Sequence, residues 1–495
     1  MKRLITIILC VLSLCYASEG YAQYPNDFVF YKVDTVGQSR YQLEPRKRPW
    51  VAAAEVLSLD ALFHVMTRYA ANKDYAKISW SSIKQNFKTG FLWDNDCFET
   101  NLFFHPYQGG LYYSAARTNG LNFWESAPYA FAGSFIWEMF LETQPPSTND
   151  IIATTLGGIG LGEATYRVSS LILNEQSRGF ERVLREVSAA VVNPVRGVNR
   201  LIYGQSWKRG PRYVDKESMV PFVVQFGLGY RYLTERAVSD CEHESMGNLD
   251  FTMIYNDPFE IDGKQPFQYF STRLSLNLLS NQPTLGMVKV CASIWGKNHE
   301  YSHGREIFWG LFQNFRYYNS EAIKKSDGTV PFRISETVSY GPGIIAKIPF
   351  TSVNGSLVFG GFGSGIVLGG SKADYFRFQD RDYNMGSGFS LRFEGLLTIW
   401  KRLGIYAGFE EYRLYTWKGY EHKDYEHMDP NYLNAQGAVG NASLRVAKTR
   451  VSYALYKSFG LGAEAAWYKR ISNYKYFPDV QSDAFELRLM LTYGY

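Results

Sequence analysis

Long apolar runs are missing from this chain after its first residues. Beyond residue 22 no stretch of about eighteen uninterrupted apolar residues occurs, which is the length that a transmembrane helix requires, so the sequence predicts no such helix. Cysteine is also scarce. The cysteines after residue 22 are Cys97, Cys241 and Cys291, an odd number without metal-ligand spacing. At most one disulfide bond is possible, and no metal site is expected.

An excess of one charge is absent as well. The 52 basic residues nearly balance the 47 acidic residues, and no strongly basic patch stands out, so nucleic acid is not an expected partner. Aromatic residues, in contrast, are abundant, with 37 Tyr, 34 Phe and 11 Trp. Tyrosine combines an apolar ring with a polar tip and suits membrane interfaces. The composition therefore favours contact with a membrane.

The first residues predict export. The basic pair Lys2-Arg3 precedes an apolar run over residues 4–14, and Gly20-Tyr21-Ala22 supplies small residues where a signal peptidase cuts. The apolar run is too short to span a bilayer. We therefore predict a signal peptide over residues 1–22, followed by a polar linker over residues 23–48.

Helical patterns dominate residues 49–215. The segment from Trp50 to about Ala71 is rich in good helix formers. Gly and Pro signals end several of the helices that follow, and Asn193-Pro194 is expected to end the last of them. Those helices are predicted at residues 81–87, 107–117, 126–142, 148–173 and 180–192. We therefore predict an α-helical N-terminal domain.

From residue 216 to the end the pattern has period two. Apolar residues alternate with small or polar ones, as a membrane barrel requires, because lipid takes one face and the lumen the other. A soluble sandwich shows the same alternation, so the pattern alone does not separate the two. Outward apolar sets are Phe222, Val224, Phe226, Leu228, Tyr230 and Tyr232; Phe389, Leu391 and Phe393; and Phe485, Leu487, Leu489, Leu491 and Tyr493.

Three further features favour the membrane barrel. About twelve alternating segments occur, an even number. Tight connections at 401–402 and 458 alternate with long polar ones at 370–385 and 417–437, as short periplasmic turns and long outer loops do. The chain also ends on an aromatic residue, Tyr495, as strands recognised by the outer-membrane insertion machinery do. We predict a β-barrel membrane protein of about twelve antiparallel transmembrane strands over residues 216–495, preceded by the helical domain.

One short motif matches zinc proteases by spacing. His299-Glu300-Tyr301-Ser302-His303 fits H-E-x-x-H, but that chemistry requires a helix which turns both histidines toward one metal. Gly296 and Gly304 bracket the motif, and strand-like runs flank it. We therefore expect a hairpin turn here and no metal.

The candidate functional residues lie between residues 105 and 167. Ser134, Glu138 and Glu142 are spaced i, i+4 and i+8, so an otherwise apolar helix carries them on one face. Carboxylates in apolar surroundings must be paired, neutral or bound to a cation. The predicted binding or network residues are Arg117, Glu142, Asp150, Glu163 and Arg167. Glu163 and Arg167 are also spaced i, i+4, so a simple pair between them is one expectation.

Two interpretations of this group stay open. In the first, the polar residues form a hydrogen-bonded network that anchors helices. In the second they form a site, with His105 as base or ligand, Ser134 as nucleophile, and Glu138, Glu142 or Glu163 orienting or binding.

The same region resembles a known family. The motifs His-Pro-Tyr-Gln-Gly from His105, Ser-Phe-Ile-Trp-Glu from Ser134, Pro-Ser-Thr-Asn-Asp up to Asp150 and Leu-Gly-Glu-Ala from Leu161 are similar to those of the bacterial domain-of-unknown-function family numbered 3943. The resemblance covers about residues 105–173. It implies an exported, outer-membrane protein without an assigned activity, and it assigns no catalytic residue.

Two functions follow from these predictions. The favoured one is an outer-membrane barrel that binds, transports or has a structural role in a Gram-negative envelope, with helices plugging or capping its lumen. The alternative is an outer-membrane lipid-modifying enzyme, an acyl hydrolase or acyltransferase that uses His105, Ser134 and Glu138. Outer-membrane lipids and the insertion machinery are the expected partners. Cofactor, substrate, catalysis and oligomeric state are left open.

Overall fold

The computed structural model describes residues 46–93, 96–207, 220–235, 243–323, 329–375, 382–417, 419 and 437–494. The predicted signal peptide, nearly all of the predicted linker, Cys241 and Tyr495 lie outside these residues. Cys97 and Cys291 are free thiols. The chain forms two compact units. The helical unit contains the described residues up to 93 and from 104 to 220, and the barrel unit contains 96–103 and the described residues from 221 onward.

The described part of the helical unit contains eight α-helices. They are α1 Pro49–Val65, α2 Trp80–Thr89, α3 His105–Thr118, α4 Phe123–Ile136, α5 Thr148–Ile152, α6 Gly158–Ile172, α7 Gly179–Val192 and α8 Pro194–Ile202. Helices α1, α4 and α5 continue into π-helical turns at Met66–Ala70, Trp137–Leu141 and Ala153–Gly157. Each predicted helix is present. Helix α8 was not predicted, because Asn193-Pro194 was interpreted as a stop, whereas Asn193 caps α8 and Pro194 begins it.

Helix α1 with its π-helical continuation bears on the prediction that the chain has no transmembrane helix. Within the 22 residues Pro49–Ala70, an 18-residue window reaches a mean hydropathy of 1.3, so the segment is long and apolar enough to cross a membrane by length and composition. The search for uninterrupted apolar runs missed this segment because single ionisable residues, Glu55 and Asp60, interrupt the run. The absence of a transmembrane helix stays a prediction, and Pro49–Ala70 is the candidate against it.

Glycines bring α3 and α6 into close contact. A Cβ at Gly109 would lie 1.7 Å from the Thr154 carbonyl oxygen, and one at Gly158 would lie 2.6 Å from the backbone of Gly109. Gly162, one turn beyond Gly158, faces the backbone of Gly110 at 2.9 Å. The two backbones therefore touch without intervening side chains, as small-xxx-small pairs allow. This contact positions the polar residues of both helices.

Twelve antiparallel strands close into a barrel, each paired with its neighbour in sequence and the last with the first. They are β1 Phe222–Glu235, β2 His243–Tyr255, β3 Phe270–Leu278, β4 Leu285–Tyr301, β5 Arg305–Tyr318, β6 Ile334–Phe350, β7 Gly355–Lys372, β8 Tyr383–Ile399, β9 Leu403–Thr416, β10 Gly440–Tyr456, β11 Phe459–Tyr474 and β12 Val480–Gly494. The predicted fold class and strand number are confirmed.

The predicted alternation of faces is also present. On β12, Leu489 and Leu491 are each 51% exposed on the outer face, whereas Glu486 and Arg488 are buried in the lumen. Glu486 and Leu487 pair with Leu233 and Tyr232 of β1, which closes the barrel in register. An exposed apolar wall around a charged lumen is the arrangement of a membrane barrel. The predicted tight turns join β8 to β9 and β10 to β11.

The H-E-x-x-H motif forms a hairpin turn, as predicted. His299 and Glu300 end β4, and His303 lies in the short turn before β5 with a φ of 67°. The two histidines are thus not on one helix face.

Residues 96–103 pack on the outer face of the barrel wall. Along β5 the exposed outer residues Trp309 and Leu311 alternate with lumen residues, and Phe315 and Tyr317 continue that outer face. Both are buried, because the Phe103 ring lies 6.5 Å from Phe315 and 5.6 Å from Tyr317. Further contacts join Phe98 to Tyr317 and Tyr383, Asn101 to Tyr383, and Glu99 to Asn319. Part of the chain outside the strands therefore covers the lipid-facing side of this wall.

Candidate functional site

The structure divides the predicted site residues into two clusters within the helical unit. The Glu163 cluster contains Tyr113, Arg117, Glu163 and Arg167. The Asp150 cluster contains His105, Ser134, Glu138, Ser147 and Asp150. Glu142 belongs to neither, because its carboxylate accepts a 2.5 Å hydrogen bond from the Trp137 indole.

The Glu163 cluster is a buried ion-pair network. Arg117 of α3 donates to the Glu163 carboxylate of α6 at 2.7 and 3.2 Å, and Arg167 donates to it at 2.7 Å. The Tyr113 hydroxyl adds a bond of 2.8 Å. Burial raises the pKa of the Glu163 carboxyl, but the two guanidinium groups lower this pKa by more than burial raises it. The pKa of Glu163 therefore lies below its usual value. The carboxylate therefore stays charged and ties α3 to α6.

The Asp150 cluster surrounds the start of α5. The Ser147 hydroxyl caps α5 by accepting from the Asp150 amide at 3.2 Å. The Glu138 carboxylate accepts from the Ser147 amide at 2.8 Å, and the His105 ring lies 3.6 Å from the Asp150 carboxylate. The spacing predicted that Ser134, Glu138 and Glu142 share one helix face. Glu142 does not, because the helix ends at Leu141 and Glu142 has an extended backbone.

Ser134 does not have the geometry of an activated nucleophile here. Its hydroxyl donates to the backbone carbonyl of Asp150 over 3.5 Å, whereas a nucleophile needs a base about 2.6–3.2 Å away. The Glu138 carboxylate is engaged by a backbone amide. The geometry of the Asp150 cluster therefore suits anchoring of α5. In the part of the chain that the structure describes, no group of three or more His, Cys, Asp or Glu residues could hold a metal ion.

A second polar network lies inside the barrel and was not predicted residue by residue. Lys289 of β4 pairs with Glu410 of β9, and Arg273 of β3 reaches Glu464 of β11 at 2.9 Å. Neither pair joins neighbouring strands, so both cross the lumen. Further lumen pairs are Arg231 with Glu486, Arg488 with Asp250, and Lys448 with the Tyr318 hydroxyl.

Connections of the barrel fold inward at both of its ends. In the β5–β6 connection the Phe332 ring stacks on Tyr468 at 4.1 Å, and Arg470 donates to the Val330 carbonyl at 3.2 Å. In the β2–β3 connection the Asn298 amide of β4 holds the carbonyls of Phe259 and Ile261 at 2.7 and 2.8 Å. Both connections contribute to apolar clusters of lumen residues. Apolar packing therefore lies above and below the charged network.

One pocket in the lumen is lined by Gln225, Asp250, Thr252, Arg273 and Arg450. It holds a water-sized space of about 10 Å³, enough for about one water molecule. The side chains around Arg273 therefore leave little room at this level of the lumen.

Comparisons with known proteins concern the helical segment and the barrel separately. Residues 90–195 match the family model described as a domain of unknown function, DUF3943, which confirms the resemblance predicted from the motifs. The comparison with curated proteins finds no match.

Several solved structures, two porins and one outer membrane protein, are similar to the barrel. They include the KdgM porin (13% identity, 54% of this chain, 99% of that chain, TM-score 0.23), the NanC porin (11%, 53%, 98%, 0.24) and Omp33 of Acinetobacter baumannii (10%, 55%, 97%, 0.23). Likeness at these identities concerns the fold alone.

Proposed function

We propose that this chain is an outer-membrane protein whose barrel has a closed lumen and a binding or structural role rather than that of an open diffusion pore. The ion pairs that cross the lumen carry the proposal. A solute passing through the barrel would have to separate Lys289 from Glu410 and Arg273 from Glu464. Separating a buried ion pair leaves uncompensated charges and is strongly unfavourable.

The proposed location is the outer membrane. The signal peptide predicted over residues 1–22 would export the chain, and β12 would present it to the insertion machinery. The exposed apolar outer wall supports outer-membrane lipids as the surrounding partner. Recovery of the full-length protein as a soluble periplasmic species would contradict this location.

Conductance tests the closed lumen. The purified protein is reconstituted in planar bilayers, and we expect no stepwise current at low voltage. Replacing Lys289 and Glu410 together by Ala removes a pair that crosses the lumen and should raise the ionic leak. The matched control replaces Glu306 and Lys347, a pair on the neighbouring strands β5 and β6, and should not. Stable single-channel steps from the unchanged protein would refute the proposal.

Plugging or capping of the lumen by helices stays a prediction. The connections that fold into the lumen ends belong to the barrel itself, so the closure that we propose does not depend on the helices. Transport would require the pairs across the lumen to rearrange.

The enzymatic alternative rests on the Asp150 cluster, in which His105 lies beside a carboxylate. It is tested by complementing a deletion strain with Ser134→Ala, His105→Ala or Glu138→Gln and scoring lipid and lipopolysaccharide profiles. An enzyme would lose its phenotype at normal protein level. A structural cluster would instead lose folded protein, with Glu138→Ala worse than Glu138→Gln and Ser134→Ala mild. Full rescue by all three well-folded variants would eliminate the cluster as the seat of function.

A further inference from the structure

The outer face of the helix Pro49–Ala70 is apolar along its whole length. Only 17% of its most apolar window is buried. None of its exposed residues carries a charge. The exposed fraction is 54% for Leu57, 52% for Leu62, 50% for Val65 and 52% for Met66. The hydroxyl of the exposed Ser58 donates to the carbonyl of Ala54 at 2.7 Å, so it presents no unsatisfied polar group.

Glu55, Asp60 and His64 of this helix turn inward instead, whereas the partly exposed Arg68 lies over the Tyr69 ring near the helix end. Asp60 is 1% exposed and accepts a short hydrogen bond from the Tyr112 hydroxyl. Glu55 accepts from the Asn199 amide at 2.9 Å. The His64 ring lies 3.2 Å from the carbonyl of Leu141. A helix on the surface of a soluble protein has the opposite arrangement, with its charges outward and its apolar face in the core.

The ends of the helix carry the residues that mark membrane interfaces. Trp50 is 86% exposed near one end and Tyr69 is 73% exposed near the other. At about 1.5 Å per residue they lie about 29 Å apart along the axis, close to the hydrocarbon thickness of about 30 Å. Arg46 and Lys47 precede the helix, and Lys73 follows it. Lys47 is paired with Glu125 at 2.6 Å, and Lys73 stands beside the exposed Asp74, so Arg46 is the base that anionic headgroups would attract most.

Other helices of the unit share this inverted arrangement. Helix α7 exposes Phe180, Val183, Val187 and Val191, while its charges are paired with neighbours, such as Arg185 with Glu181 at 2.8 Å. The interior holds the Glu163 cluster and the glycine contact of α3 with α6. Polar interiors and small-residue contacts are what helices in lipid use.

We propose that the helix Pro49–Ala70 crosses the hydrocarbon layer of the outer membrane, with the face of Leu57 and Leu62 against lipid acyl chains and with Trp50 and Tyr69 at the two interfaces. The occupant of this face is lipid, because the face has span length, aromatic ends, basic flanks and no charge. The proposal rests on the membrane location proposed above.

Depth-dependent quenching tests it on the full-length protein in phospholipid vesicles. Cys97, Cys241 and Cys291 are replaced by Ser. Single cysteines at chosen positions then carry an environment-sensitive fluorophore. The vesicles contain phospholipids brominated either near the headgroup or deep in the acyl chain, and aqueous iodide is the water-soluble quencher. The helix probes are Trp50→Cys, Leu57→Cys, Leu62→Cys and Tyr69→Cys.

Two control positions make the outcomes distinct. Leu489→Cys lies on the outer face of β12 and reports barrel insertion, and Lys401→Cys lies in the exposed β8–β9 turn. We expect deep bromine to quench the Leu57 and Leu62 probes more than shallow bromine does, as it does for Leu489. The order reverses for Trp50 and Tyr69, and only iodide quenches Lys401.

Each of the other outcomes contradicts either the helix proposal or the membrane location. Quenching of Leu489 together with iodide access to Leu57 and Leu62 overturns the helix proposal and leaves the barrel location intact. Stronger quenching by shallow bromine at all four helix positions means that the helix lies flat in the interface and also overturns it. Resistance of Leu57 and Leu62 to both quenchers means a protein partner covers the face. Loss of bromine quenching at Leu489 overturns the membrane location itself.

Discussion

Replacing Glu163 by Gln removes the only negative charge among the four side chains of the Glu163 cluster. The carboxylate, fully buried, binds Arg117 of α3 and Arg167 of α6. The substitution keeps the shape of the side chain but changes the net charge of the cluster from +1 to +2. Two guanidinium groups then lie buried around a neutral amide.

The expected destabilisation of the helical unit is about 3–5 kcal/mol, the cost of breaking a buried ion pair by removing one partner. A matched control is Glu181→Gln on α7. Its pair with Arg185 is i, i+4, with 37% of the Glu181 side chain exposed, so its loss should cost only about 0.3–0.5 kcal/mol. Adding Arg117→Gln to Glu163→Gln restores the net charge of +1 and should recover part of the loss.

The assay is a urea titration of the full-length protein in detergent, followed by brief proteolysis and detection of the intact helical unit. Heat-modifiable mobility of the barrel in the same samples shows that the barrel stays folded. The reasoning is refuted if the urea midpoint of Glu163→Gln equals that of Glu181→Gln.

The pH dependence of the same cluster gives an independent check. Burial raises the pKa of Glu163, but Arg117 and Arg167 lower it below the ordinary value of 4.5. Because the unfolded state then binds more protons, the stabilisation is complete above pH 4.5 and is lost as the pH falls through the folded pKa. In Glu163→Gln the urea midpoint should fall less at acidic pH than it does in the unchanged protein. An equal fall in both proteins would contradict the assignment of this pH dependence to Glu163.

Three further outcomes are expected. Glu138→Ala should lower the stability of the helical unit by about 1–3 kcal/mol, because the Ser147 amide loses its acceptor, and Glu138→Gln should cost less in the same urea assay. Gly109→Ala should reduce the level of folded protein, since the new methyl group would overlap the Thr154 carbonyl; normal levels would contradict the close contact. Removing residues 493–495 should block insertion, because β12 loses its aromatic end, and normal heat-modifiable protein in membranes would refute this.

The alternation of side chains explains why the barrel could be predicted. A period of two assigns each residue of β12 to the wall or the lumen without knowledge of its neighbours. It does not identify the partner across the lumen. Lys289 and Glu410 are 121 residues apart in sequence, and Arg273 and Glu464 are 191 apart. Closure of the barrel sets such distances, so the network could not be predicted from the pattern.

In the candidate site, likewise, the sequence predicted contacts within one helix but not contacts between helices. Spacing of i, i+4 correctly linked Glu163 with Arg167, because neighbours on one helix are set by local geometry. The second arginine, Arg117, comes from α3, and the contact that brings it there depends on Gly109 and Gly158. Contacts between helices follow from backbone approach, which no local spacing reveals.

The segment Pro49–Ala70 was missed for a reason that the strands make clear. Both the helix and the strands expose apolar side chains and turn carboxylates inward, but the period of the pattern differs. Alternation in a strand makes this arrangement visible in the sequence. In a helix, Glu55 and Asp60 interrupt the apolar run although both face inward. A search for uninterrupted apolar runs therefore rejects a helix even when no exposed residue on it is charged. The relevant quantity is the charge on the exposed face, and here that charge is zero.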